Sequence, residues 1–83
     1  MSKVKIYTTD YCPFCTAAKA HFERKGIAFE EIDVSDAQAK SELKARTGWR
    51  TVPQIFIGDE LIGGYQEMMA LETAGELDQK LSR

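Results

Sequence analysis

Hydrophobic and polar residues alternate from the start of the chain. Val4, Ile6 and Thr8 lie on one side, and Lys3, Lys5 and Tyr7 on the other. A period of two carried by β-branched residues predicts a strand over 3–8. Thr9-Asp10-Tyr11 reads as a short loop. From Pro13 the period changes, and Ala17, Ala18, His21 and Phe22 recur at helical spacing. Pro13 fits a first helical turn, where its missing N–H is not needed. Arg24 and Lys25 suit the negative helix end, and Gly26 stops it. Ile27, Phe29, Ile32 and Val34 predict a second strand over 27–34, although the alternation slips midway. Ser35-Asp36-Ala37-Gln38 has the S-x-x-Q capping form and opens a second helix. Ala39 and Leu43 form its thin apolar face, and Gly48 ends it. Val52 to Ile57 is a β-rich run that Gly58-Asp59 turns into Glu60-Leu61-Ile62, a hairpin. After Gly63-Gly64, residues 65–74 carry Met68 and Leu71 at helical spacing. Leu77 and Leu81 suggest a weak fourth helix.

The element order is therefore β-α-β-α-β-β-α(-α), an α/β arrangement. The opening strand–helix–strand unit implies a parallel pair with a right-handed crossover, and the later hairpin makes the four-stranded sheet mixed. No linker, repeat or low-complexity segment divides residues 1–83, so one domain is expected. At 83 residues its core is small. A hydrophobic fraction of 43% with 10% aromatics excludes a disordered chain. No apolar run approaches the ~20 residues of a membrane helix. A net charge of −2 leaves no basic footprint for nucleic acid. The start, Met1-Ser2-Lys3-Val4, has neither a signal-peptide core nor a transit pattern, so a cytoplasmic location is expected, where thiols stay reduced.

Two cysteines are too few to staple such a chain, and they stand together in Cys12-Pro13-Phe14-Cys15. Cys12 precedes the first helical turn, where unpaired N–H groups and the positive dipole end favour a thiolate. Cys15 lies one turn on, inside the helix and less exposed, within reach of a mixed disulfide on Cys12. The spacing predicts Cys12 as nucleophile and Cys15 as resolving thiol. A structural zinc site needs four ligands, and His21 is the single histidine, so no intrachain metal site is expected. Pro53 at the entry of a strand marks Arg50-Thr51-Val52-Pro53; by local sequence alone a trans bond wins, since cis forms make up ~5–6% of X-Pro bonds. Gly63-Gly64 reads either as a loop needing positive φ or as a close approach to a ligand. Trp49 either floors the groove or caps the second helix against the core, the latter favoured slightly. Tyr11 and Tyr65 read either as rimming the nucleophile or as half-exposed packing residues. His21, and Lys19, Arg24 and Lys25, are read as packing or solvated helix-face residues.

Together, Ile6-Tyr7-Thr8, Cys12-Pro13-Phe14-Cys15, Thr51-Val52-Pro53-Gln54-Ile55-Phe56-Ile57 and Ile62-Gly63-Gly64 resemble the glutaredoxin family over nearly the whole chain. The pattern looks most like the short bacterial dithiol type, glutaredoxin 3. The resemblance implies a thioredoxin fold, a cis bond before Pro53, and glutathione as co-substrate with no tightly bound cofactor. It implies a glutathione-dependent oxidoreductase acting on disulfide-bonded or glutathionylated proteins, ribonucleotide reductase being a family expectation, and a monomer. The implied binding residues are Tyr11, Phe14, Arg50, Thr51, Val52, Pro53, Gly63, Gly64 and Tyr65. The tripeptide would pair antiparallel with Val52, its γ-glutamyl end near Gly64 and Tyr65 and its glycine carboxylate toward Arg50 and Lys44. Three positions depart from the family pattern: Thr9 replaces a frequent Lys, Phe14 a Tyr, and Tyr65 a Cys or Ser. The γ-glutamyl amine then falls to Glu67 or to backbone. Two other readings stand beside this one. One is a redoxin reduced by thioredoxin reductase. The other is an iron–sulfur carrier bridged by Cys12 of two chains, against which Pro13 argues.

Overall fold

The computed structural model describes residues 3–83; Met1 and Ser2, on which the expectation about processing and location partly rests, lie outside the described residues. The elements are β1 (Val4–Thr8), α1 (Pro13–Arg24), β2 (Glu30–Asp33), α2 (Ala37–Thr47), β3 (Gln54–Ile57), β4 (Glu60–Gly63), α3 (Tyr65–Thr73) and α4 (Leu77–Leu81). They form one four-stranded sheet in the order β2-β1-β3-β4. β1 and β2 run parallel, while β1–β3 and β3–β4 are antiparallel. This is the mixed sheet that the hydrophobic pattern implies.

The period of two along β1 and β3 sorts side chains to the two faces. Val4, Ile6, Ile55 and Ile57 join Ala18 and Phe22 of α1, Met68 of α3, and Leu77 and Leu81 of α4 in a single buried cluster. On the other face Tyr7 meets Phe56 edge-on at 5.6 Å, with the Arg46 guanidinium of α2 stacked 5.9 Å from the Tyr7 ring. The helices α1, α3 and α4 therefore cover one face and α2 the other. Burial of Phe22, Ile6, Ile55 and Met68, each 0% exposed, contributes roughly 1.5–3 kcal/mol apiece.

Three local readings change. The second strand is shorter than 27–34. Gly26 takes φ +71, its N–H bonds to Glu23 O, and the Ile27 N–H bonds back to Phe22 O at 2.9 Å. That pair of bonds closes the end of α1, so Ile27 belongs to the helix cap. Ile27 and Phe29 pack against the core from the loop, the exposed edge strand Glu30–Asp33 pairs with β1, and the Val34 N–H adds a bond to Thr8 O at 2.7 Å. The cap of α2 is Asp36, not Ser35. Its carboxylate accepts the Gln38 and Ala39 N–H groups, both at 3.1 Å. Ser35 Oγ instead accepts the Asp10 N–H at 2.9 Å and ties the loop before Cys12 to the end of β2. Lys19 and Lys25 are not merely solvated. Lys19 pairs with Glu31 at 2.8 Å, and Lys25 pairs with Glu72 and Asp78 at 2.9 and 2.7 Å.

Candidate active site

β1 ends on the buried Thr8, and the chain crosses a short loop to the N-terminus of α1. Within that loop Tyr11 is fully exposed and takes φ +55, a region costly for a residue with a Cβ. Cys12 is the N-cap of α1, with φ −111 and ψ 99, and Pro13 opens the helix. The Cys15 N–H donates to Cys12 Sγ at 3.1 Å. The first cysteine thus fills the capping role that Ser or Asp usually fills, and its sulfur receives an otherwise orphaned donor. The two sulfurs are joined as a disulfide, with Cα atoms 5.2 Å apart. Cys15 is 2% exposed, whereas Cys12 is half-buried.

Cys12 Sγ also lies 3.8 Å from the Val52 carbonyl oxygen. The Val52–Pro53 bond is cis, which overrides the local preference for trans. On one side of Val52 a groove of about 320 Å³ is lined by Phe14, Trp49, Thr51, Val52, Pro53 and the first turn of α3, Gly64 to Glu67. On the other side a cavity of about 290 Å³ is lined by Lys40, Lys44 and Arg50 around Leu43, Thr51, Val52 and Gln54. No ion pair to these three cations is present among the described residues. Seven of the residues singled out from sequence therefore surround one segment: Phe14, Arg50, Thr51, Val52, Pro53, Gly64 and Tyr65. Tyr11 is separate from them. It lines a third cavity behind the dithiol with Cys12 and Cys15. Phe14 and Tyr65 stack in a tilted arrangement at 5.9 Å and close one wall of the groove.

The Gly63-Gly64 pair has two distinct reasons to be glycine. Gly63 takes φ +118, and a Cβ there would fall 2.9 Å from Glu67 Cγ. Gly64 has ordinary negative φ, yet a Cβ would sit 3.2 Å from Glu67 Oε1. Glu67 folds over both, and its Oε1 accepts the Gly64 N–H at 3.0 Å. This bond holds the groove end of α3 in place.

Two contributors take roles that the sequence pattern did not favour. Trp49 walls the groove rather than capping α2 against the core, because Gly48 at φ +75 turns the chain away from the helix. Its indole N–H is buried without a partner among the described residues. Gln54 is 1% exposed. Its Nε2 donates to the Trp49 carbonyl at 2.8 Å, and its Oε1 lies 2.9 Å from Thr47 Oγ1. Gln54 thereby pins the loop carrying Trp49 and Arg50 to β3. A polar residue inside the apolar run 52–57 was the available signal.

The family model described as Glutaredoxin matches residues 4–62. The chain is 46% identical over 83 residues to "Glutaredoxin" from Pseudomonas aeruginosa, covering 99% of both chains. It is 44% identical to "Glutaredoxin 3" from Escherichia coli, covering 98% of this chain and 99% of that one. Among solved structures it superposes on a buckwheat glutaredoxin–glutathione complex with a TM-score of 0.88. The identity there is 28%, over 98% of this chain and 77% of the other.

Proposed function

The chain belongs to the glutaredoxin family, and we propose that it is a glutathione-dependent thiol–disulfide oxidoreductase with Cys12 as nucleophile and Cys15 as resolving thiol. The observation that carries this reading is the position of Cys12 Sγ. It caps α1, receives the Cys15 N–H at 3.1 Å and abuts the Val52 carbonyl at the edge of the groove. A sulfur in that field is stabilised as thiolate by the helix N-terminus.

With a glutathionylated substrate, the Cys12 thiolate attacks the glutathionyl sulfur. A new disulfide forms between Cys12 and glutathione, and the substrate sulfur leaves as a thiolate that takes up a proton. A second glutathione then attacks this mixed disulfide, releasing oxidised glutathione and the Cys12 thiolate. With a disulfide-bonded protein, the Cys12 thiolate attacks one substrate sulfur, the substrate disulfide breaks, and its other sulfur leaves as a thiolate that takes up a proton. The Cys15 thiolate then attacks Cys12 Sγ, the bond to the substrate breaks, the second substrate sulfur leaves as a thiolate that takes up a proton, and both cysteines end as the disulfide seen in the structure.

The groove supports the glutathione half of the reading. Val52 offers backbone to an extended tripeptide. The first turn of α3, Gly64 to Tyr65, suits a γ-glutamyl carboxylate. The cations Arg50, Lys44 and Lys40 suit the glycine carboxylate, and they make the site locally positive on a chain of net charge −2. With Glu67 bonded to the Gly64 N–H through Oε1, its other carboxylate oxygen suits the γ-glutamyl amine. Thr51, Pro53 and Phe14 line this surface, Gly63 makes room for Glu67 beside it, and Tyr11 stands on the other side of Cys12. The protein acts as a single-domain monomer in a thiol-reducing compartment such as the cytosol. No helix among the described residues is long and apolar enough to cross a membrane.

Turnover of a small glutathione mixed disulfide, coupled to glutathione and glutathione reductase, tests the assignment. Activity with glutathione and none with thioredoxin reductase is expected. The reverse pattern would replace this reading with the thioredoxin-reductase-linked one.

A further inference from the structure

The resolving thiol poses a problem that the groove does not solve. Cys15 must ionise to attack, yet it is 2% exposed, and burial disfavours a thiolate. It does not line the groove or the cationic cavity beside Val52. It opens instead, together with Cys12, onto the third cavity, about 490 Å³ in volume. The charged or titratable groups that line it among the described residues are few. Asp10 and Tyr11 come from the loop, Cys12 from the α1 N-cap, Lys19 with Cys15 itself from α1, and Glu31 and Asp33 from β2. Across the Phe14 ring, α3 presents Tyr65 and Glu67 to the groove.

Lys19 is the single cation among the residues lining this cavity, facing three carboxylates. It stands four residues after Cys15 on α1, so the two share one face of the helix. Its ammonium is held at 2.8 Å by Glu31 Oε2, and that same oxygen accepts the hydroxyl proton of the buried Thr8 at 2.8 Å. The pair is partly sheltered, with side chains 28% and 41% exposed. The lysine bond, followed by the threonine bond, holds the Glu31 carboxyl below its ordinary value, so the pair is charged at neutral pH.

From this arrangement we propose that the Lys19–Glu31 pair sets how readily Cys15 ionises, and so how fast it resolves a mixed disulfide on Cys12. The inference rests on the reading of Cys15 as resolving thiol. In the step concerned, the Cys15 thiol gives its proton to water in the cavity. The thiolate attacks Cys12 Sγ, the Cys12–Cys15 bond forms as the bond to the substrate sulfur breaks, and the departing substrate thiolate takes up a proton. Lys19 and Glu31 touch neither substrate nor a reacting atom. They act on Cys15 through the field across the cavity, with opposite signs. Lys19 favours the thiolate, and Glu31 both opposes it by charge and fixes where the ammonium sits.

Opposite signs make the test sharp, because loss of a purely structural pair would move both variants the same way. In a Cys12→Ser background Cys15 is the single thiol, and its alkylation rate can be followed against pH. Adding Lys19→Met should raise the midpoint by about half a pH unit, and adding Glu31→Gln should lower it by a similar amount. Lys19→Arg, which keeps the charge, should leave it in place. In the full dithiol protein the thiolate fraction at neutral pH then changes about threefold. The nucleophilicity of a thiolate moves in the opposite direction with a Brønsted slope of ~0.4–0.5, so protein-disulfide reduction should change about twofold, slower for Lys19→Met and faster for Glu31→Gln. Midpoints that coincide, or that shift in the same direction for both variants, would overturn the inference. A Cys15→Ser protein that still reduces protein disulfides would instead overturn the resolving role, and the titration would still report on the ion pair.

Discussion

At the scale of single residues, the site depends on a few atoms whose placement has a physical cause. Cys12 works as a cap before it works as a nucleophile, because its sulfur receives the Cys15 N–H. Trp49 has the opposite character. Its ring walls the groove while its indole N–H lies buried with no partner among the described residues. Trp49→Phe keeps an aromatic ring and removes that donor. An unpaired buried donor costs about 1–3 kcal/mol, so the variant should match or exceed the parent in stability by urea denaturation. A loss of stability greater than the packing lost with the smaller ring would contradict an unpaired N–H. Gly63 is the converse case. At φ +118, with Glu67 Cγ 2.9 Å from where a methyl group would sit, Gly63→Ala should lose more than about 1 kcal/mol. It should also raise KM for a glutathionylated substrate by displacing Glu67 from the Gly64 N–H. A neutral effect on both would mean that the α3 terminus tolerates that displacement.

At the scale of elements, what could be read from the chain was whatever left a local imprint. β1 shows its alternation because its two faces meet different partners, Ile6 the apolar cluster and Tyr7 the Phe56 ring. α1 shows its proline, its glycine stop and its cysteine spacing. β2 was drawn too long because Ile27 is apolar for the sake of the α1 cap and the core, not for strand pairing. Ser35 and Asp36 are both good caps by type. The choice between them fell to a contact with Asp10, 25 residues away. The loop between α2 and β3 was the least legible part, since a side chain from the following strand holds it. Gln54→Leu should leave the Trp49 carbonyl without its donor, cost about 1–3 kcal/mol, and loosen the groove. A KM increase larger than any change in kcat is the expected signature, and unchanged kinetics would show that the loop holds its shape without Gln54.

At the scale of the whole molecule, the side of the fold remote from the groove carries its own fastening. Glu72 on α3 accepts from Lys25 at 2.9 Å and meets His21 Nε2 at 2.7 Å, and Lys25 also reaches Asp78 on α4. This cluster ties the end of α1 to α3 and α4. The Lys25 bond above all, with the His21 bond helping, holds the Glu72 carboxyl below its ordinary 4.5. Its contribution is therefore complete above that value and is lost as pH falls through the lowered folded value. Bonds to Asp78 and then Glu72 hold Lys25 above its ordinary 10.5. Its contribution is complete below 10.5 and is lost as pH rises through the raised folded value. Thermal unfolding should thus show Tm falling at both extremes. Glu72→Gln should flatten the acid limb and cost on the order of 1 kcal/mol at neutral pH. An acid limb identical in the two proteins would assign the loss to other carboxylates. The net charge of −2 hides this division of the molecule, with cations beside Val52 that have no ion pair among the described residues, and paired charges between the ends of α1, α3 and α4.

The proposed chemistry turns on one assignment, that Cys12 is the attacking sulfur and Cys15 the sheltered one. Reaction of the reduced single-cysteine variants with oxidised glutathione, followed by intact mass, measures it directly. The Cys15→Ser protein should gain one glutathionyl group within seconds to minutes at neutral pH and lose it again on adding glutathione. The Cys12→Ser protein, whose remaining thiol is buried, should stay largely unmodified over the same time. Equal labelling of the two variants, or faster labelling of Cys12→Ser, would contradict the assignment.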